Sequence, residues 1–290
     1  MAVIRERGYE HWDGRLTERR FPWWPIARTG VRLAFRKKGF KFAFAGAYIP
    51  SFVALGGLYV SERLDDFKAL VQSNRALIKI DPAYFADFYT NGAFLFMLVL
   101  VLAFGAAGLV AEDLKHSALQ LYFARPLSRK DYVSGKLAVV AFFVLALTAL
   151  PGLILIAFKL IFAGSFAFLA QYPWLPFSVL GYGALLTLFF GGYVMLVSAL
   201  SRNTRYVIVL LFGSFYFSAV LAEIVRGIFR TPYAMLFSLP ADVRQVGAAL
   251  FGAKLPQDVS PILSFLVLAG ICALAVAVLV RKVRGVEVIK

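Results

Sequence analysis

Cysteine is almost absent from this 290-residue chain: Cys272 stands alone, inside an apolar run. No intrachain disulfide can form, and no thiolate cluster can hold a metal. Histidine is nearly as scarce. His11 and His116 are the only two, and both lie outside the apolar runs. That excludes a haem held by paired histidines within a membrane and argues against a His-rich metal centre. Acids number 16 against 31 Lys and Arg, and none falls inside an apolar run. The in-span carboxylates of ion-coupled transporters are therefore missing. No G-x-x-x-x-G-K-[ST] loop occurs: Gly135-Lys136 is followed by Leu137, and no glycine stands at the required earlier position. The chain is expected to be no enzyme by itself and to bind no cofactor. No internal repeat is visible, which gives little support to an inverted-repeat secondary transporter.

What is present is apolar surface. The chain is 61% hydrophobic and 16% aromatic, with mean hydropathy +0.76. A soluble domain is usually about 45–50% apolar, so the excess must face lipid. Six apolar runs can be read: Phe40–Val60, Phe94–Ala111, Leu137–Ala163, Leu175–Leu200, Tyr206–Ala222 and Pro261–Val280. A helix needs about 20 residues to cross the hydrocarbon core. The third and fourth runs are long enough to tilt or project, and the fifth is short, so it either continues through Glu223 and Arg226 or is partly re-entrant. A barrel strand would alternate apolar and polar residues, and these runs are apolar on every face. The fold class is an all-α integral membrane protein with six transmembrane helices, in one membrane domain over 1–290.

Orientation follows from Lys and Arg. The segments 1–41, 112–136, 201–205 and 281–290 carry 22 of them, against 8 in the alternate loops 61–91, 164–174 and 222–260. The positive-inside rule then places both termini in the cytoplasm of a plasma (inner) membrane protein. The formal charge of +15 is explained by topology, without nucleic acid as a partner. The first ~40 residues are polar and basic ahead of the first apolar run, unlike a signal peptide. Within 1–39, Trp23 and Trp24 suit the headgroup level, and Ile26, Val31, Leu33 and Phe35 interleave with Arg28, Arg32, Arg36, Lys37 and Lys38. An interfacial N-terminal helix on the lipid bilayer is expected. Lys159 is the one charge deep in a run. It lies about 34 Å along a helix from Lys136 at about 1.5 Å per residue, so it should snorkel to the outer surface.

The stretch EDLKHSALQLYFARPLSRKDYVSGK, 112–136, is charged and amphipathic between two apolar runs. Asp113 is placed to cap a short helix from Leu114, on which Leu114, Ala118, Leu121 and Tyr122 share a stripe. Arg125-Pro126 ends it. Ser128 with Asp131 resembles a capping box opening a helix that runs from Arg129 into the third span. The result is an elbow below the membrane.

The string ALQLYFARPLSRKDYVSGKLAVV, about 25–30 residues with its flanks, resembles the corresponding stretch of type-2 ATP-binding-cassette (ABC) transporter permeases. That family has an acid closing the second span, a Leu-rich turn, R-P-[LIV]-S-R, a Tyr and a G-K opening the third. The matching residues are Glu112, Leu119, Leu121, Arg125, Pro126, Leu127, Ser128, Arg129, Tyr132, Gly135 and Lys136. Ser117-Ala118 stands where the family often has Gly-Thr. The resemblance implies that the elbow is a coupling helix docking on a cytoplasmic ABC ATPase subunit, which would carry the ATP and Mg. Arg125, Arg129 and Lys130 would pair with its acids, and Leu121, Tyr122 and Phe123 would fill its groove. It also implies a second permease copy or paralogue, export or force transmission, and an outer closure over 227–260 with Glu223 and Arg226 as a candidate gate. A local i,i+3 pair is the plainer reading of those two residues. A periplasmic protein is a further candidate partner. The alternative function is a non-transporting membrane anchor or scaffold.

Overall fold

The computed structural model describes residues 21–62, 80–123 and 127–282. Its helices are α1 (Trp23–Arg36), α2 (Lys38–Gly46), α3 (Ile49–Glu62), α4 (Pro82–Thr90), α5 (Gly92–Ala106), α6 (Gly108–Lys115) and α7 (Ala118–Phe123). There follow α8 (Arg129–Leu147), α9 (Ala149–Ala163), α10 (Ala167–Gln171), α11 (Leu175–Leu200), α12 (Thr204–Phe229), a 3-10 turn (Pro232–Phe237), α13 (Leu239–Leu250) and α14 (Pro261–Lys282). Six helical stretches are long and apolar enough to cross a membrane: Lys38–Glu62, Gly92–Lys115, Arg129–Ala163, Leu175–Leu200, Thr204–Phe229 and Pro261–Lys282. The fifth run does continue through Glu223 and Arg226. The amphipathic residues Leu64, Phe67, Leu70 and Val71 fall outside the described residues.

The fourth span, α11, is the axis of the bundle and packs against α6, α8, α9, α12 and α14. Buried residues make up 61%, 61% and 67% of the most apolar windows of spans two, three and four, but only 22% of spans one, five and six. Spans two to four form the protein core. The other three leave their apolar faces to lipid or to another chain, as expected of helices that are apolar all round.

Three spans are broken, and a hydroxyl from another helix bonds the backbone at or near each break. A freed backbone group inside a membrane costs several kcal/mol unless it finds a new partner. In span two the helix interrupts at Ala107. The buried Ser198 of α11 fills the gap: its Oγ accepts from the amides of Val110 and Ala111, both at 3.0 Å, and donates to the Ala107 carbonyl at 2.6 Å. In span three Pro151 cannot donate to Leu147, and the helix bends at Thr148. The hydroxyl of Tyr48 donates to the Ala146 carbonyl (2.9 Å), and that of Tyr89 to the Thr148 carbonyl (2.8 Å). Gly152 makes room for the second of these, since a Cβ there would sit 1.8 Å from the Tyr89 hydroxyl oxygen. In span one α2 gives way to α3 near Pro50, and the Tyr84 hydroxyl donates to the Ala54 carbonyl.

Close approach through small residues is realised at several places. Cβ atoms at Gly105, Gly191 and Gly192 would meet Phe40 (2.5 Å), Leu137 (2.2 Å) and Cys272 (3.4 Å), while Gly181 faces open space. Helix α1 lies against α8 in the same way: Gly30 meets Val139, and Gly135 meets Ile26 and the Trp23 carbonyl.

At the end away from the elbow, Asp81 caps α4, whose Phe85, Phe88 and Tyr89 are buried. Tyr89 stacks on Phe251 and meets Tyr182 edge-on. Helix α13 is enclosed by α4, α11, α12 and α14. Gln245, fully buried, pins the following loop by donating to the carbonyls of Gln257 and Val259 and accepting from the Gln257 amide.

Candidate functional site: the elbow between the second and third spans

The elbow is two helix ends and a short helix clamped together. Helix α6 carries Asp113 in its interior, so Asp113 does not cap a helix starting at Leu114 as the sequence suggested. The chain turns instead at His116 and Ser117, and α7 begins at Ala118. Ser117 takes the left-handed conformation, φ 52°. An L-residue there costs about 1–2 kcal/mol, and this left-handed residue is where the chain leaves α6 and starts α7. Leu114 and the residues of α7 consequently lie on two helices rather than on one stripe.

Freed from capping, Asp113 reaches across to the third span. Its Oδ2 lies 2.6 Å from Lys136 Nζ, with the two side chains 13% and 9% exposed. The same oxygen accepts from the Tyr132 hydroxyl at 2.7 Å. Lys136 Nζ sits 5.9 Å from the ring centre of Tyr122 and 5.4 Å from that of Tyr132, and the rings meet edge to face at 5.4 Å. Burial, and next the Asp113 charge, hold the Tyr122 phenol above its ordinary range, so it stays neutral beside the cation. Around this network Leu119, Tyr132, Val110, Met195, Ala199 and Leu279 form a small apolar cluster, separate from the main core. The cluster fastens α7 to spans two, three, four and six.

The third span starts where the sequence indicated. The Ser128 Oγ accepts from the Asp131 amide (3.1 Å), and the Asp131 carboxylate accepts from the Ser128 amide (3.0 Å), a complete capping box. Asp131 replaces the usual Glu or Gln because its shorter arm still reaches the cap amide.

The sequence-derived site residues divide by position. Ser128, Arg129 and Lys130 are exposed, as is Glu112. The Glu112 carboxylate accepts from the Thr204 hydroxyl at 3.4 Å and lies over Gly108, where a Cβ would approach it to 2.8 Å. Leu119 is buried, and Tyr122 is half-buried against the elbow's own network, so both mount α7 rather than offer a free face. Leu121 and Phe123 belong to α7. Arg125 and Pro126 lie outside the described residues. Asp113, a helix cap by its local sequence, is the site residue that local spacing does not reveal. Its signal was an acid and a Lys flanking a turn between two spans, each with a Tyr nearby.

Two other charged pairs lie at the far end. Lys159 does not simply snorkel: it pairs with Glu62 at the end of the first span and sits 5.4 Å from the centre of the Phe168 ring. Glu223 and Arg226 pair with each other at 3.5 Å, and both are well exposed. Deeper in, Asp242 of α13 is fully buried, and neither carboxyl oxygen has a hydrogen-bond partner among the described residues. Burial pushes its carboxyl up to about 7, and the neighbouring Ser264 hydroxyl only partly offsets this.

Six apolar spans around a clamped, polar elbow define an integral membrane protein of the permease class. Residues 36–224 match the family model described as ABC-2 family transporter protein. The chain belongs to that family: it is the membrane permease of an ABC transporter, the component distinct from its ATP-binding partner. No curated protein matches the chain.

Proposed function

We propose that this permease is the membrane half of an ATP-driven exporter in the plasma membrane, with the elbow end and both termini in the cytoplasm. Helix α7 is its coupling helix and docks on the ATPase, with the exposed Arg129 and Lys130 as its cationic contacts. Two permease copies, or one copy and a paralogue, complete the assembly through the apolar faces of spans one, five and six. The far end, with α13 and the Glu223–Arg226 rim, forms the outer closure.

The observation that carries this reading is the Asp113–Lys136–Tyr132–Tyr122 network. A soluble motor moves membrane helices only through a stiff joint, and this network ties α7 to the start of the third span. That span reaches from the elbow to the far end through a single bend at Thr148, so a displacement at α7 is delivered to the far end with one hinge. Purification of the permease from its native membrane, beside an Arg129→Glu, Lys130→Glu variant, tests it. A P-loop ATPase retained by the wild type and lost from the variant supports coupling. Retention of other proteins without any ATPase in either sample supports the scaffold instead.

A further inference from the structure

We propose that the outward face of α1 and the corner after it form a binding site for the phosphate headgroups of anionic phospholipids. The proposal rests on membrane residence alone and is independent of ATPase docking. Arg28, Arg32 and Arg36 recur every fourth residue and are all exposed, so they form one row along a helix. The opposite side, Ile26, Gly30 and Ala34, is the side turned to the protein: Ile26 and Ala34 are buried, and Ile26 and Gly30 meet α8. The row is thus held at a set angle on the third span and cannot roll away. Lys37, Lys38 and Lys41 continue it around the corner into the first span, and all three are exposed.

No acid occurs between Phe21 and Ser61, and none of these six cations has an ion-pair partner among the described residues. A solvated basic face needs no apolar border, yet this row has one. Trp24 (56% exposed) and Leu33 (49%) flank it on either side, and Phe42 (80%) follows at the first span's start. Cations bordered by exposed aromatic and aliphatic side chains suit a layer where phosphates meet acyl chains. A guanidinium offers paired N–H donors to phosphate oxygens, and three in a row favour a headgroup carrying net negative charge over a zwitterionic one.

The full chain in neutral detergent, titrated with dioctanoyl phosphatidylglycerol or dioctanoyl phosphatidylcholine and read by native mass spectrometry, tests this. The wild type should retain phosphatidylglycerol selectively. An Arg28→Gln, Arg32→Gln, Arg36→Gln variant should lose on the order of a hundredfold in that affinity, since each cation near an anionic surface is worth roughly fivefold. An Arg202→Gln, Arg205→Gln control at the same end should bind as the wild type does. Circular dichroism should show unchanged helix content in both variants, because the substituted side chains are exposed. Equal retention of the two lipids, retention by the triple variant, or equal loss in the control would overturn the proposal. Displacement of the lipid by an equal concentration of inorganic phosphate would make this a general anion site and overturn the lipid assignment. Loss of the ATPase from the triple variant with lipid binding intact would assign the row to an acidic protein surface instead.

Discussion

Neutralising one partner of the Asp113–Lys136 pair should destabilise the elbow more than neutralising both. The pair is separated by 2.6 Å and about nine-tenths removed from solvent. Asp113→Asn keeps the acceptor for the Tyr132 hydroxyl but leaves the Lys136 charge facing only two aromatic rings. Breaking a buried pair from one side costs about 3–5 kcal/mol, and the rings return about 1–2 kcal/mol. A net loss near 3 kcal/mol is expected. Lys136→Met preserves the apolar stem and strands the Asp113 charge with one hydroxyl donor, for a loss of about 3 kcal/mol or more. The double variant buries no charge and should cost about 1 kcal/mol, since an apolar replacement of a buried pair is often near neutral. The coupling energy is then several kcal/mol, far above the ~0.6 kcal/mol typical of hydrogen bonds between membrane helices. Unfolding of the full chain in mixed micelles, followed by helical ellipticity, supplies all four corners of the cycle. Losses that add to within about 0.5 kcal/mol would show that the two groups do not sense each other, and the account of the elbow as a clamped joint would fail.

Ser117→Gly should stabilise the same elbow by roughly 0.5 kcal/mol, because relief of the left-handed backbone outweighs the added chain entropy; Ser117→Val should lose stability in the same unfolding assay. Gly152→Ala should cost about 3 kcal/mol, since its Cβ displaces the buried Tyr89 hydroxyl and breaks its bond to the Thr148 carbonyl. Tyr89→Phe in that background should recover part of the loss, and no recovery would mean that the clash lies elsewhere. For Asp242 the folded state holds its proton up to about pH 7, while the unfolded chain releases it near the ordinary 3.8. The folded state therefore binds more protons across that window, and stability should fall as pH rises from about 4 to about 7. Asp242→Asn should flatten that slope and raise the melting temperature at pH 8; an unchanged pH profile would count against the buried carboxyl.

Much of this was legible in composition and order. Long apolar runs with no periodicity dictate spanning helices wherever backbone groups must pair within their own segment. The Ser128–Asp131 box and the i,i+3 pair of Glu223 and Arg226 were legible because they are local, set by helical spacing alone. The R-P-L-S-R string was legible as a family resemblance. Position along the chain, however, says nothing about which side chains meet across helices. Asp113 reads as a cap by its neighbours and becomes an ion-pair partner only because Lys136, 23 residues on, folds back beside it. Lys159 reads as a solvent-seeking end, yet Glu62, nearly a hundred residues earlier, meets it. Ser198 looks like an ordinary span residue and Tyr89 like an ordinary loop aromatic until the backbone groups they bond at two helix breaks are seen. The sequence by itself determined the class, the six spans and the place of the elbow, since these follow from hydropathy, charge and local capping. Only the tertiary structure decided the joint, the hydroxyl bonds across the helix breaks and the fixed face of α1, since each depends on groups distant in sequence brought within a few ångströms.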